Sequence, residues 1–218
     1  MQVSIPTHLS AITVEQYQKY EAVANGENDE DFIIFKTIEI FCDIPIQTVS
    51  KFPMQDAKDI YEQIQGVLSQ DAKFSPTFEM DGVEYGFIPS LEDLTLGEYI
   101  DLEAGLKDTK DLHKAAAVMF RPISRRFKEL YDIEPYQQGT KAWELMKGAP
   151  IDVISSAVVF FYNLGNELLM DSLAYLSKKE KETLKKSIIQ QKDSSLLSGD
   201  GLTPFGRLQK VMSQSLMK

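Results

Sequence analysis

The sequence predicts a mainly α fold with one small β-hairpin (α+β), a helical domain built around a long helix near 150–176. Three observations carry this. Apolar residues recur at spacings of three and four along most of the chain, helix-start signals precede several of these stretches, and one alternating stretch flanks an Asp81-Gly82 pair. With 218 residues the chain can bury roughly two thirds or more of its unfolded surface, so stability requires no metal or disulfide staple. A hydrophobic content of 43% and a charged content of 26% place it among globular rather than disordered chains.

The elements follow in order. Thr13 with Gln16 makes a capping box, in which a hydroxyl and a side chain three residues on satisfy backbone N–H groups, and it opens a helix bearing Val14, Tyr17, Tyr20 and Val23. Asn25-Gly26 ends it. A second helix is expected from about Asn28 to Cys42 with Phe32, Phe35, Ile38, Ile40 and Phe41 as a wide apolar face. A turn with Ile46 and Val49 follows Pro45, and Pro53 precedes a helix to about Leu68 carrying Ala57, Ile60, Ile64 and Val67.

Thr77 to Ile88 reads as a hairpin, since Asp81-Gly82 suits the positive φ angles of a tight turn. An isolated hairpin is marginal in water, so it must pack on helices or gain a strand from Tyr131–Tyr136 or from Val3–Ile5. Thr95 with Glu98 caps a helix to about Leu106. Another is expected from Thr109 to Phe120, where Pro122 biases Arg121 out of the helical region. Thr140 is expected to cap a short helix with Trp143, Leu145 and Met146, stopped at Gly148. Pro150 then begins the longest helix, to about Leu176 and roughly 39 Å long, with Ile151, Ile154, Val158, Phe161, Leu164 and Leu168 along one stripe.

Three regions follow from this reading: 1–107, acidic and helical with the hairpin at 77–88; 108–192, helical with the long central helix; and 193–218, a mobile connector and a terminal amphipathic helix. A single domain spanning all three is the alternative. Ser177 with Glu180 opens a Lys-rich helix, and Thr203-Pro204 starts the terminal one. Phe205, Leu208, Val211, Met212 and Leu216 form its apolar stripe and are the candidate protein-interaction residues. The stripe has two readings, docking on its own domain or insertion into a neighbour's groove.

Charge is unevenly divided. Residues 1–107 hold 6 Lys or Arg against 20 Asp or Glu, a balance of −14, whereas residues 108–218 hold 17 against 13, a balance of +4. The first half would repel a phosphate backbone, so no nucleic-acid partner is expected; an acidic face suits basic protein partners or solubility. The lysines at 178, 179, 181, 185 and 186 alternate with Glu180 and Glu182 and read as a solvated helix face. The N-terminal residues lack the pattern of a signal peptide, and no apolar run approaches the roughly 20 residues of a membrane span, so neither secretion nor a membrane is expected.

No motif carries chemistry. The one cysteine, Cys42, lies in an apolar run and reads as a core thiol in a reducing compartment. Two distant histidines, His8 and His113, cannot close a zinc site without carboxylates. His113 beside Asp111, with a serine such as Ser124, is a conceivable dyad, but a lone histidine on an ordinary helix reads as structural. Glu92, Asp93, Glu98, Asp101 and Glu103 are the material for a divalent-metal site, yet negative charge near a helix start already has a reason in the helix dipole, as it has at Asp29, Glu30 and Asp31. Phosphate-cradling loops, dinucleotide glycine patterns and nucleophile elbows do not occur. The expectation is a non-enzyme with no catalytic residues, no cofactor and no metal; a carboxylate-dependent metal hydrolase or nuclease is the rival from another class, and a small regulator of a host protein is a third.

EYGFIPSLEDLTLGEYIDLE at 84–103, DLHKAAAVMFRPI at 111–123 and YDIEPYQQGT at 131–140 resemble a family of proteins encoded by tailed bacteriophages. The likeness extends through SIPTHLSAITVEQYQKY at 4–20, FKTIEIFCDIP at 35–45 and VVFFYNLGNELL at 158–169. Some members are similar to tail assembly chaperones, others to structural-gene products. The resemblance implies a phage morphogenesis protein acting through protein–protein contacts in the host cytoplasm, with phage structural or tail proteins as partners. A virion component of the neck, ring or tail, and self-association as a homo-oligomer, are the open alternatives. No catalytic residues come with the resemblance.

Overall fold

Thr13 closes a complete capping box: its side chain accepts from the Gln16 N–H at 3.2 Å while Gln16 Oε1 accepts from the Thr13 N–H at 3.0 Å. Helix α1, Val14–Ala24, starts there. The computed structural model describes residues 3–90, 94–128 and 130–175, with side-chain surroundings up to Asn163. The stripe Phe205, Leu208, Val211, Met212 and Leu216, the Ser177 capping box and the Lys-rich stretch lie outside the described residues.

Helix α2, Glu30–Cys42, is capped by Asp29, which accepts from Phe32 N–H at 2.8 Å. Its buried face is Ile34, Thr37, Ile38, Phe41 and Cys42 rather than the wider set expected. Phe32 is exposed, because helical spacing from Ile34 and Ile38 turns it away from the core, whereas Phe35 and Ile40 are half-buried and pack against the core. The turn after Pro45 is the one-turn helix α3, Ile46–Val49, and α4 runs Met54–Leu68 with Ala57, Ile64, Val67 and Leu68 buried, as their spacing predicts.

The hairpin forms where expected. Strands β1, Thr77–Met80, and β2, Val83–Phe87, pair antiparallel about Asp81 and Gly82, at φ 53° and 76°. The third strand departs from expectation. Helix α6, Leu112–Met119, follows a 3-10 turn at Thr109–Asp111 and passes directly into β3, Phe120–Phe127, which pairs with β2 through Phe120, Arg121 and Pro122. Tyr131–Ile133 does lie in a strand, β4, Leu130–Ile133, but it pairs with β3 and not with the hairpin; Val3–Ile5 forms no strand. The result is an antiparallel sheet in the order β1-β2-β3-β4. Pro122, without an N–H, stands beside the register shift at Ile123 and Arg125, and its carbonyl accepts from Glu134 N–H at 2.9 Å.

Among the described residues the fold is mainly α with this small sheet. Helix α5, Leu96–Leu106, packs on α6; α7, Thr140–Met146, is preceded by Gly139 as its cap, so Thr140 is its first residue rather than the cap. Helix α8, Ile151–Tyr175, is about 38 Å long and is the long helix expected after Pro150. The N-terminal residues are fastened to its start: Val14 N–H donates to Ala149 O and Ile151 N–H to Ile12 O, each at 2.9 Å. Buried apolar side chains from Leu9 to Val158 form one cluster, with Ile12, Ile38, Ile64, Leu102, Phe120 and Ile154 among the most enclosed.

Candidate functional site

Among the described residues, two places combine accessible volume with side chains not consumed by the core. The first is polar. The Thr95 capping box brings Glu98 to the start of α5, where Glu98 Oε2 accepts from Thr95 N–H at 2.8 Å and from the Thr95 hydroxyl at 2.7 Å. Its other oxygen, Oε1, lies 2.9 Å from Arg121 on β3; Glu98 is buried and the Arg121 side chain is 13% exposed. Burial pushes the Glu98 carboxyl up, but the Thr95 hydrogen bonds and the Arg121 charge outweigh it and hold the group below the usual carboxylate range.

One turn on, Asp101 accepts from the Tyr136 hydroxyl at 2.9 Å and from Gln138 Nε2 at 3.2 Å. Burial pushes the Tyr136 phenol up to about 12, and the hydrogen bond to Asp101 adds to it. A cavity of about 280 Å³ adjoins this cluster, lined by Arg121, Glu134, Tyr136, Gln138 and Lys141 among others. A carboxylate locked in an ion pair and a phenol held protonated supply neither a base nor a nucleophile at neutral pH. The cluster's evident work is to hold the segment after β4 against α5.

The remaining sequence candidates are dispersed. Glu92 and Asp93 lie outside the described residues, and Glu103 faces Lys107 at 3.8 Å on the surface. The described residues bring no group of three or more His, Cys, Asp or Glu into a metal-holding arrangement. His113 is buried and its Nδ1 faces Gln18 Nε2 at 3.0 Å, so Nδ1 accepts and the ring is neutral. Burial first, then Lys147 and Lys114, hold its pKa below the ordinary value. Asp111 pairs instead with Lys114 at 2.7 Å, and Ser124 donates to Asp132 O at 3.3 Å, so the conceivable dyad is not assembled. Cys42 is buried in the core, and burial pushes its thiol up to about 11.

The second place is an apolar groove of about 380 Å³ along the first half of α8, closed on its sides by Leu9, Leu68, Phe74 and Leu112. Phe74 reaches it from the stretch between α4 and β1 and stacks on Phe160 of α8, with centroids 4.3 Å apart and planes 12° apart. Phe87 of β2 meets both rings edge-on. Val159 and Phe160 remain 44% and 38% exposed, so the face is formed but uncovered among the described residues. Asp71 and Asp108 are the charged residues of the lining. That volume falls within the range of about 300–1,000 Å³ typical of binding sites.

Sequence reasoning did not find this groove. Its available signal was the doublet Phe160-Phe161, since one helix stripe buries only one of two adjacent aromatics, together with the lone aromatic Phe74 in a polar stretch.

No family model matches the chain, and neither a curated protein nor a solved structure does. No described helix is long and apolar enough to cross a membrane.

Proposed function

We propose that this chain is a non-catalytic phage morphogenesis protein working through protein–protein contacts, in the manner of a tail assembly chaperone, and that its α8 groove seats an apolar segment of a phage tail or structural protein. The observation that carries the reading is the groove itself: a preformed apolar cleft lined by the stacked Phe74 and Phe160 rings, with the Asp71 carboxylate in its lining and that of Asp108 paired with Lys110. A segment with apolar side chains at helical spacing and basic flanks is its complement. The phage-like segments noted in the sequence support the setting, host cytoplasm during assembly.

The test places a photo-crosslinking amino acid at Val159 in the full chain, produced together with the structural proteins of its phage. Crosslinks to a tail or structural protein, lost when Asp71→Lys reverses the charge of the lining, are expected; crosslinks to none of them overturn the reading.

A second reading, a component of the neck, ring or tail, is favoured by one observation: the β3–β4 turn exposes two large apolar side chains, Phe127 and Leu130. Mass spectrometry of purified particles separates the two, because a chaperone is lost from the virion and a ring component stays at ring-like stoichiometry.

A further inference from the structure

The face that α8 gives to the apolar groove has the form of a helix-packing seat. Ile151, Ser155, Val159 and Asn163 follow one another at intervals of four, the row of side chains along which packed helices interlock. From Ile151 to Asn163 this row is about 18 Å long. Ile151 is buried, whereas Val159 and Asn163 are exposed, so the seat is covered at its start and bare further on.

The chain carries a segment of matching form. Phe205, Leu208, Met212 and Leu216 recur at intervals of three and four, and wound as a helix they make a stripe about 17 Å long. Residues 204–217 hold Arg207 and Lys210 and no acidic residue. No lysine or arginine lines the groove; Asp108 is paired with Lys110 at 2.9 Å, and Asp71 has no ion pair among the described residues. A basic segment therefore meets no like charge there.

Reach favours the chain's own segment over that of a second copy. Tyr175, where α8 ends, lies about 24 Å along the helix from Val159. The 28 residues from 176 to 203 tether Pro204 to that end, and a coil of such length has an r.m.s. span of about 30 Å. A tether whose span is close to the gap holds its segment at an effective concentration on the order of millimolar, which a second copy matches only at a similar concentration in solution.

We propose that residues 204–217 dock the stripe of Phe205, Leu208, Met212 and Leu216 into the α8 groove of their own chain and close it until a client segment displaces them. The inference rests on the proposed function and adds its regulation: the apparent affinity for a client is lowered by the fraction of chains whose groove is closed.

The test places a photo-crosslinking amino acid at Val159 in the full chain. The protein is purified alone and mixed as equal parts of isotopically light and heavy chains at about 1 µM, far below the effective concentration of a tethered segment. Crosslinks from position 159 to residues 204–217 are expected, light with light and heavy with heavy. Met212→Asp, within the stripe, should reduce their yield at least about fivefold, whereas Gln214→Asp, on the side opposite the stripe, should leave it unchanged. With phage tail and structural proteins added, Met212→Asp should raise client capture at position 159 at least about threefold. Mixed light and heavy crosslinks, crosslinks that avoid 204–217, equal losses in the two variants, or client capture that Met212→Asp does not raise overturn the proposal. Clients captured with no internal crosslink overturn it and leave the proposed function standing. An internal crosslink with no client captured even in Met212→Asp overturns the proposed function and leaves the docking standing.

Discussion

Glu98 of α5 and Arg121 of β3 are 2.9 Å apart and almost wholly removed from solvent, and the same carboxylate completes the α5 capping box. One side chain thus starts a helix and anchors the strand that joins the hairpin to β4. Taking away one partner of a buried ion pair leaves the other charge stranded, which costs more than the pair contributes net. Glu98→Ala is predicted to destabilise the protein by about 3–5 kcal/mol in urea denaturation. Glu98→Gln combined with Arg121→Met should cost clearly less than the two single changes added together.

The same pair fixes an acid limb of stability. Glu98 titrates below its ordinary range in the folded chain, so the unfolded chain binds the proton more readily as pH falls. The contribution is complete above about pH 5 and fades as pH drops through the unfolded value of about 4.3 toward the lowered folded one. Urea titrations at several pH values should show this limb flattened in Glu98→Gln.

His113 supplies a second limb at higher pH. Its folded pKa is depressed, so the unfolded chain takes up the proton first and stability falls as pH drops from about 6.5 toward the folded value. His113→Asn should be less stable at pH 7.5 yet show a smaller loss between pH 7.5 and 5.5, read as the shift in thermal midpoint.

Gly86 lies beneath the Tyr131 ring. A Cβ at position 86 would stand 2.4 Å from Tyr131 Cε2, and the ring is held by hydrogen bonds from its hydroxyl to Phe87 O at 2.9 Å and Pro76 O at 3.2 Å. Gly86→Ala is therefore predicted to cost about 1–3 kcal/mol, and most of that cost should vanish in a Tyr131→Ala background. An unchanged cost in that background would place the strain elsewhere.

Cys42 should be silent in the folded protein. With the thiol pushed up to about 11 and buried, its thiolate at pH 8 is on the order of a hundredfold scarcer than for an ordinary cysteine. Labelling with a thiol-specific disulfide reagent should proceed only as fast as the chain opens, and should become immediate in denaturant.

Local signals were readable wherever the chain itself supplies both partners. The Thr13–Gln16 and Thr95–Glu98 boxes and the Asp81-Gly82 turn join residues three apart or fewer, and each forms as the sequence implies. Strand β3 was not readable, because Phe120–Phe127 carries a proline and four basic or hydroxyl residues without apolar alternation, and it follows α6 with no loop between them. Its place in the sheet is settled by distant residues, Tyr85 to Phe87, which pair with Phe120 to Pro122. The groove was hidden for the same reason: Leu9, Phe74, Leu112 and Phe160 meet only after α8 docks. Conversely, the carboxylates near Thr95 looked like site material in sequence, and Glu98 and Asp101 are held instead by Arg121, Tyr136 and Gln138.

The central claim is that the α8 groove is a seat for another polypeptide. It is tested most directly by crosslinking from Val159 in the full chain, made alongside the phage tail and structural proteins proposed as its partners. The account predicts a crosslinked tail or structural protein whose yield collapses when Asp71→Lys reverses the charge of the lining. Crosslinks confined to solvent-exposed bystanders, unchanged by Asp71→Lys, would contradict it.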